Sequence, residues 1–288
     1  MDVKITAAQT AAKIEAGRLG GSVASEAQKS AARRNGALGG RPPKYLKQTA
    51  PSFAYPGGKS KLAKLLVSMM PAGGRRYVEP FVGRANVYWT AATELDFEEW
   101  HLNDLRTIPW IEAIRDHGHD LRVPRMTRAE YLKRWADSKQ GCPYALMLSP
   151  YLTFSGAGYG AAGFKGNRKV ALTASGFQQS IRMAQNILRA TSPTLTALDY
   201  KWCLSDLGED DFCYIDPPYM DAEVGKAYQP GDLDHRELVD ILVKAKFRWM
   251  LSEYDHPLYR EAFGPPVLKQ ATETRHGRAR TECVWVSK

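Results

Sequence analysis

Short apolar runs alternate with segments of helical periodicity along most of this chain, and that alternation is the strongest constraint on its fold. The runs RYVEPF, EWHLND, DFCYID and FRWMLSE read as strands, and TECVWVS as a C-terminal one. Between them, apolar residues recur at helical spacing over about 107–116, 127–137, 176–190 and 234–246. A parallel strand pair needs a crossover, and a helix supplies it, so the pattern predicts an α/β fold with a mainly parallel sheet. The segments at about 267–272 and 281–287 predict a hairpin at one edge. Ahead of the first strand, SKLAKLLVSMM predicts a helix over 60–70 with Ser60 as N-cap, ended by Pro71 and the Gly73-Gly74 pair. Residues 120–195 interrupt the alternation with helices and a Gly-rich loop and read as an inserted lobe. Residues 51–119 and 196–288 then form one domain around it.

No apolar run reaches the roughly 18 residues that a membrane-spanning helix needs. The N-terminus lacks the apolar stretch of a secretory signal, so a cytoplasmic protein with no membrane contact is expected. Cys142, Cys203, Cys213 and Cys283 are far apart and fit reduced thiols rather than a disulfide frame, and no set of metal ligands is evident. The net charge of +9 is uneven: residues 1–50 hold nine Lys and Arg against three Asp and Glu. A basic tail on a nearly balanced body points to a polyanion, most often nucleic acid, with a solubilising tail as the other reading. Within the tail, GGRPPK at 39–44 places Arg41 in an extended basic element that resembles an AT-hook or, more blandly, a linker.

In an open α/β sheet, ligands bind beyond the carboxyl ends of the strands. YVEPFVGRANV delivers Phe81 and Gly83 there, at a turn before a helix. HLND delivers Asp104, which suits a ribose hydroxyl or, equally, the N-cap of the next helix. DFCYIDPPY delivers Asp216. Pro217 and Pro218 then fix φ and lack an N–H, so the loop is stiff and its carbonyls remain acceptors. A carboxylate beside a carbonyl makes a two-acceptor site for an NH2 group. Tyr219 adds a face for a planar base, with stacking worth ~1–3 kcal/mol.

With these motifs in this order, the chain resembles the DNA N6-adenine methyltransferases of the Dam-like (D12) class over about residues 51–288. FAYPGGK at 53–59 is similar to the family's N-terminal cofactor motif, VEPFVG at 78–83 to its Glu-Pro-Phe motif, LNDL at 102–105 to its ribose-binding acid, and DPPY at 216–219 to its catalytic motif. The resemblance implies a Rossmann-like fold, S-adenosylmethionine as methyl donor, double-stranded DNA as partner, no metal, a monomer, and a bacterial or phage source. It implies that Tyr55, Gly57, Gly58 and Lys59 border the cofactor, that Phe81 and Gly83 line it, and that Asp104 binds its ribose. Tyr200, in the Asp199-Tyr200 pair, would pack on its ring. Asp216 and the Pro217 carbonyl would hold a flipped adenine's amine, with Pro218 stiffening the loop and Tyr219 stacking on the base.

The sequence departs from the family at two places. Arg84-Ala85-Asn86 follows Gly83 where the family has a small residue and then Gly, so Arg84 is expected to point outward or form a salt bridge. In the inserted lobe, Phe154-Ser155 stands where the family often has Asn-Arg, so no recognition sequence carries over. Tyr159, Lys165, Arg168 and Lys169 in the Gly-rich loop still suit DNA contact. Lys226 and Tyr228 are expected to close over the base, and Arg275, Arg278 and Arg280 to grip phosphates from a hairpin turn. RNA base-amine methylation, and DNA binding by an inactive methyltransferase fold, are the alternative readings.

Overall fold

Seven strands, β1 (Gly73–Glu79), β2 (Asp96–Asn103), β3 (Thr194–Thr196), β4 (Phe212–Ile215), β5 (Arg248–Tyr254), β6 (Leu268–Glu273) and β7 (Ala279–Val286), form one sheet in the order β3-β2-β1-β4-β5-β7-β6. The computed structural model describes residues 50–55, 57–123, 127–153, 174–220, 233–273 and 279–287. The basic tail with Arg41, the Gly-rich loop with Tyr159, Lys165, Arg168 and Lys169, the segment with Lys226 and Tyr228, and Arg275 and Arg278 lie outside the described residues. Strands β1 to β5 pair in parallel. β7 runs antiparallel to both β5 and β6, which is the expected edge hairpin. β3 was not legible in the sequence, because TLT is too short to show a period.

The helices are α1 (Ala63–Ser68), α2 (Asn86–Glu94), α3 (Ile108–His117), α4 (Arg128–Lys139), α5 (Pro143–Leu152), α6 (Ala174–Thr191), α7 (Tyr200–Leu204), α8 (His235–Lys244) and α9 (Pro257–Phe263). Successive side chains on a strand point to opposite faces. Thus Tyr77, Phe212, Tyr214 and Met250 enter one core with Leu66, Trp89, Ile111 and Ile181. Val78, Cys213, Ile215, Trp249 and Leu251 enter another with Leu238, Tyr259 and Trp285. A sheet covered on both faces explains why its strands read as continuous apolar runs rather than as alternation. Met147 and Leu148 of α5 and Phe177 and Ile181 of α6 join the first core.

Two sequence expectations are corrected near β1. The helix expected over 60–70 forms only as α1, whose N-cap position is Leu62 with no side-chain cap. The Lys59 carbonyl accepts the Leu62 and Ala63 N–H groups, so the first turn closes on Lys59 and leaves Ser60 without a capping role. Gly73 and Gly74 do not stop a helix; they begin β1. A Cβ on Gly73 would lie 2.3 Å from the Asp96 carbonyl oxygen, and one on Gly74 2.6 Å from that of Asp210. Backbone cannot yield as a flexible side chain does. Gly73→Ala is therefore expected to destabilise the fold by about 1–3 kcal/mol in urea unfolding. An unchanged midpoint would mean that β1 and β2 can separate freely at this end.

β1 lies between β2 and β4, so the chain leaves it in opposite directions across the sheet. That reversal opens a crevice beyond the carboxyl ends of β1 and β4.

Candidate active site

The segment before α1 folds back over this crevice through a tight turn. The Gly58 N–H donates to the Tyr55 carbonyl at 3.0 Å, and Gly57 takes φ 75°, a conformation that favours glycine. Lys59 follows, only 6% exposed. Its Nζ donates to the Gly57 carbonyl at 2.8 Å and lies 3.0 and 2.8 Å from the two carboxylate oxygens of Asp216, 157 residues later. Glu282 Oε1, from β7, is 3.5 Å from the same nitrogen. The ammonium also sits 4.7 Å from the Tyr219 ring centroid. Tyr219 donates its hydroxyl to Glu282 Oε1 at 3.2 Å and meets Tyr254 edge to face at 4.7 Å. Arg280 lies at the start of β7 with its guanidinium 5.5 Å from the Tyr254 ring, which places it beside this cluster. Burial opposes the charge on Lys59, but Asp216 and Glu282 outweigh it and hold the lysine above its ordinary pKa.

A second group forms at the turn after β1. Gly83 takes φ 52°, and a Cβ there would lie 3.1 Å from the Tyr55 ring. Its N–H donates to Asp104 Oδ2 at 3.0 Å, while Asp104 Oδ1 accepts the N–H groups of Arg106 at 2.8 Å and Thr107 at 2.9 Å. Asp104 thus closes the turn that leads into α3, whose N-cap position is Thr107 with no side-chain cap rather than Asp104, and also ties down the β1 turn. Of the roughly four lone-pair sites of a carboxylate, one on Oδ2 remains for a hydroxyl. Phe81 packs on Tyr200 with centroids 5.4 Å apart. Tyr200 is 7% exposed and lies in the core, so Phe81 is the ring that keeps open area. Pro217 is buried and Pro218 half-buried.

Arg84 neither points outward nor, among the described residues, forms a salt bridge. It is 6% exposed, donates from Nη2 to Ser149 Oγ of α5 at 3.0 Å, and lies 4.4 Å from the Trp110 ring. Among the described residues its Nε and Nη1 have no hydrogen-bond partner, and burial lowers its pKa to about 10. The stacking contact with Trp110 compensates part of that cost, as a cation over an indole face does.

Sequence reasoning passed over several groups that shape the site. Asn103 donates its amide to the carbonyls of Pro80 and Leu198, both at 2.9 Å, and accepts from Thr196 Oγ1 at 2.8 Å and the Leu198 N–H at 2.9 Å. It locks together the loops after β1 and β3. Asn86 closes on both the N–H and the carbonyl of Phe53, at 3.0 Å each. Glu79 ends the apolar run of β1, Glu253 lies inside that of β5 and Glu282 directly precedes that of β7, and an acid against an apolar run was the available signal for them.

Glu79 accepts the Tyr77 hydroxyl at 2.5 Å, and burial pushes its carboxyl up to about 8. Glu253 accepts the Tyr254 N–H at 2.7 Å and the Met220 N–H at 3.3 Å, and burial pushes it up to about 9. Both are raised above the ordinary value of 4.5, so the folded chain holds protons that the unfolded chain releases. Their contribution to stability is complete below about pH 4.5 and is lost as pH rises through about 8 and 9. Urea unfolding is expected to show stability falling from pH 5 to 8 by up to about 1.4 kcal/mol per pH unit for each group. Glu79→Gln and Glu253→Gln should each flatten that slope. A slope unchanged in both variants would place the titration elsewhere.

Residues 55–111 match the family model described as D12 class N6 adenine-specific DNA methyltransferase. That span holds Tyr55, Lys59, the Gly83 turn and Asp104, and ends before Asp216. No curated protein matches the chain. Among solved structures, SMU.472, named as a methyltransferase and solved in complex with SAH, is similar over 83% of this chain and 83% of its own, at 6% identity and a TM-score of 0.22. A TM-score that low carries no weight for fold or function. Among the described residues, no helix is long and apolar enough to cross a membrane, and no three His, Cys, Asp or Glu are grouped to hold a metal ion.

Proposed function

We propose that this chain transfers a methyl group from S-adenosylmethionine to the N6 amine of an adenine in DNA, with the base turned out of the duplex. The observation that carries this reading is the Lys59–Asp216 pair. It joins the loop at the start of the family match to the acid-Pro-Pro-Tyr loop outside it, at the switch point of the sheet. The residues around the β1 turn fit the donor in chemistry. Gly83 lets the Tyr55 ring close directly on the backbone of the β1 turn, Asp104 keeps an acceptor for a ribose hydroxyl, and Phe81 offers a ring face. The Arg84 guanidinium is held by Trp110 and Ser149 and also lies 5.7 Å from the Tyr55 ring, at the border of the proposed donor site.

When bound, S-adenosylmethionine supplies an electrophilic methyl group on its sulfonium. Lys59 holds Asp216 as a carboxylate and uses one lone-pair site on each oxygen, which leaves two for an incoming amine. Asp216 and the Pro217 carbonyl accept the two amine hydrogens and aim the nitrogen lone pair, so alignment is the main catalytic gain. Tyr219 presents to the base the ring face not covered by Lys59. In this reading residues 1–50 and Arg280 add salt-sensitive phosphate contacts.

The test is mass spectrometry of nucleosides from unmethylated plasmid DNA and from structured RNA, each incubated with the protein and S-adenosylmethionine. N6-methyladenine in the DNA is the expected result. Methylation of RNA alone would transfer the activity to RNA. No methylated base from folded protein would overturn the reading.

A further inference from the structure

Methyl transfer as described uses Lys59, Asp216 and Tyr219 and gives no part to Glu282 of β7, whose side chain is only 11% exposed. Side chains alternate along a strand, so Glu282 shares the face of Val284, which enters the first core, while Cys283 between them enters the second. Phe53 and Leu66, on either side of Lys59 in the chain, lie in that first core too. Glu282 pairs with Tyr254 across the antiparallel ladder to β5. It therefore stands on the sheet face that the Lys59 segment covers. There its Oε1 meets two groups at once, accepting the Tyr219 hydroxyl at 3.2 Å and lying 3.5 Å from Lys59 Nζ.

Counting charges gives this contact a role beyond that of a tether. Lys59 and Asp216 alone, at 2.8 and 3.0 Å, would present a neutral ion pair to the substrate. Among the described residues Lys59 is the one cation within ion-pair distance of either acid, so an ionised Glu282 gives the cluster an excess of negative charge. Burial pushes Glu282 above the usual carboxylate range, Lys59 opposes that rise, and Asp216 adds to it. The acids nearby on other strands do not contribute: Glu79 at the end of β1 and Glu253 of β5, pushed up to about 8 and about 9, hold their protons at neutral pH. Burial keeps the hydroxyls of Tyr219 and Tyr254 protonated, and Arg280 has its guanidinium 5.5 Å from the Tyr254 ring. The reaction calls for a negative surplus. As the N6 lone pair takes the methyl group and the C–S electrons return to sulfur, positive charge appears on the amine nitrogen, and one of its protons then passes to Asp216. In a site shielded from water, an unbalanced anion stabilises that charge far better than a neutral pair does.

We propose that Glu282 is a positioning residue that acts through Lys59: by sharing the ammonium it leaves Asp216 facing the substrate amine with an unbalanced negative charge, and with the same oxygen it anchors the Tyr219 ring. The edge hairpin thus takes part in the site through β7. The effect on turnover rests on the methyl-transfer reading; the charge state of the cluster does not.

The experiment uses full-length protein with 13C-labelled Asp and Glu carboxyls, without donor or DNA. In the wild type Asp216 and Glu282 are both expected to be ionised at pH 7 and to titrate as a coupled pair. Glu282→Gln keeps an acceptor for the Tyr219 hydroxyl and removes the charge. Without the second anion, the Asp216 midpoint should move to lower pH. Tyr219→Phe removes the tether and keeps the charge, so it should not move that midpoint down. In turnover, Glu282→Gln should lower kcat about tenfold with the Kd for DNA unchanged, and the acidic limb of kcat/KM should shift downward with Asp216. A Glu282 that is protonated at pH 7 in the wild type overturns the inference, and that result needs no variant to fold. An Asp216 midpoint that stays or rises in Glu282→Gln overturns it as well, as does an undiminished kcat. If no methylated product forms at all, the methyl-transfer reading falls, while the titrations still decide the charge of the cluster.

Discussion

Asp216→Ala is expected to lower methyl transfer by about a hundredfold or more, with binding of S-adenosylmethionine little changed. Asp216 is the charged end of the two-acceptor site, and without it only the Pro217 carbonyl is left to aim the amine. The substitution also strips Lys59 of two contacts, at 2.8 and 3.0 Å. Glu282 at 3.5 Å and the Gly57 carbonyl at 2.8 Å still hold the ammonium, so folding survives. Breaking a buried pair costs roughly 3–5 kcal/mol, and with these remaining partners the low end is expected. Single-turnover transfer to plasmid DNA, beside equilibrium donor binding, measures both quantities. Full activity in the variant would remove Asp216 from the chemistry.

Lys59→Met should have the larger effect on folding and a distinct effect on pH. It leaves Asp216 and Glu282 as neighbouring carboxylates with no cation within ion-pair distance among the described residues. The expected loss is about 3–5 kcal/mol at pH 8, where both acids must otherwise ionise. Part of it should return at pH 5, where protonation relieves the repulsion. Removing the cation favours the neutral carboxylic acid, so the pKa of Asp216 rises. The acidic limb of kcat/KM against pH should move upward by about one to three units. An acidic limb that stays in place would show that Lys59 does not set the ionisation of Asp216.

Much of the fold was legible because its signals are local. The helical spacing over 107–116 and 234–246 became α3 and α8, and DFCYID became β4 followed by Asp216 at the crevice. Ser60 and the Gly73-Gly74 pair misled for a common reason. Each was a correct local signal for a cap or a stop, overridden by partners from elsewhere. The Lys59 carbonyl closed the first turn of α1, and the approach of β2 required glycine at 73. Arg84 misled likewise: a guanidinium predicts solvent or a carboxylate, and only the position of Trp110 and Ser149 made a third outcome possible.

By itself, the sequence determined the alternation of most strands with helices, the stiff acid-Pro-Pro-Tyr loop at a strand end, and the glycine turn after β1. These depend on period, on φ, and on missing N–H groups, all properties of neighbouring residues. Only the tertiary structure decided which charges meet. That Lys59 answers Asp216, that Glu282 and Glu253 close in from β7 and β5, and that His235 meets Tyr259 follow from strand order and helix packing. The ionisation of a buried group depends on everything within a few ångströms, and in this chain those neighbours lie up to 157 residues apart.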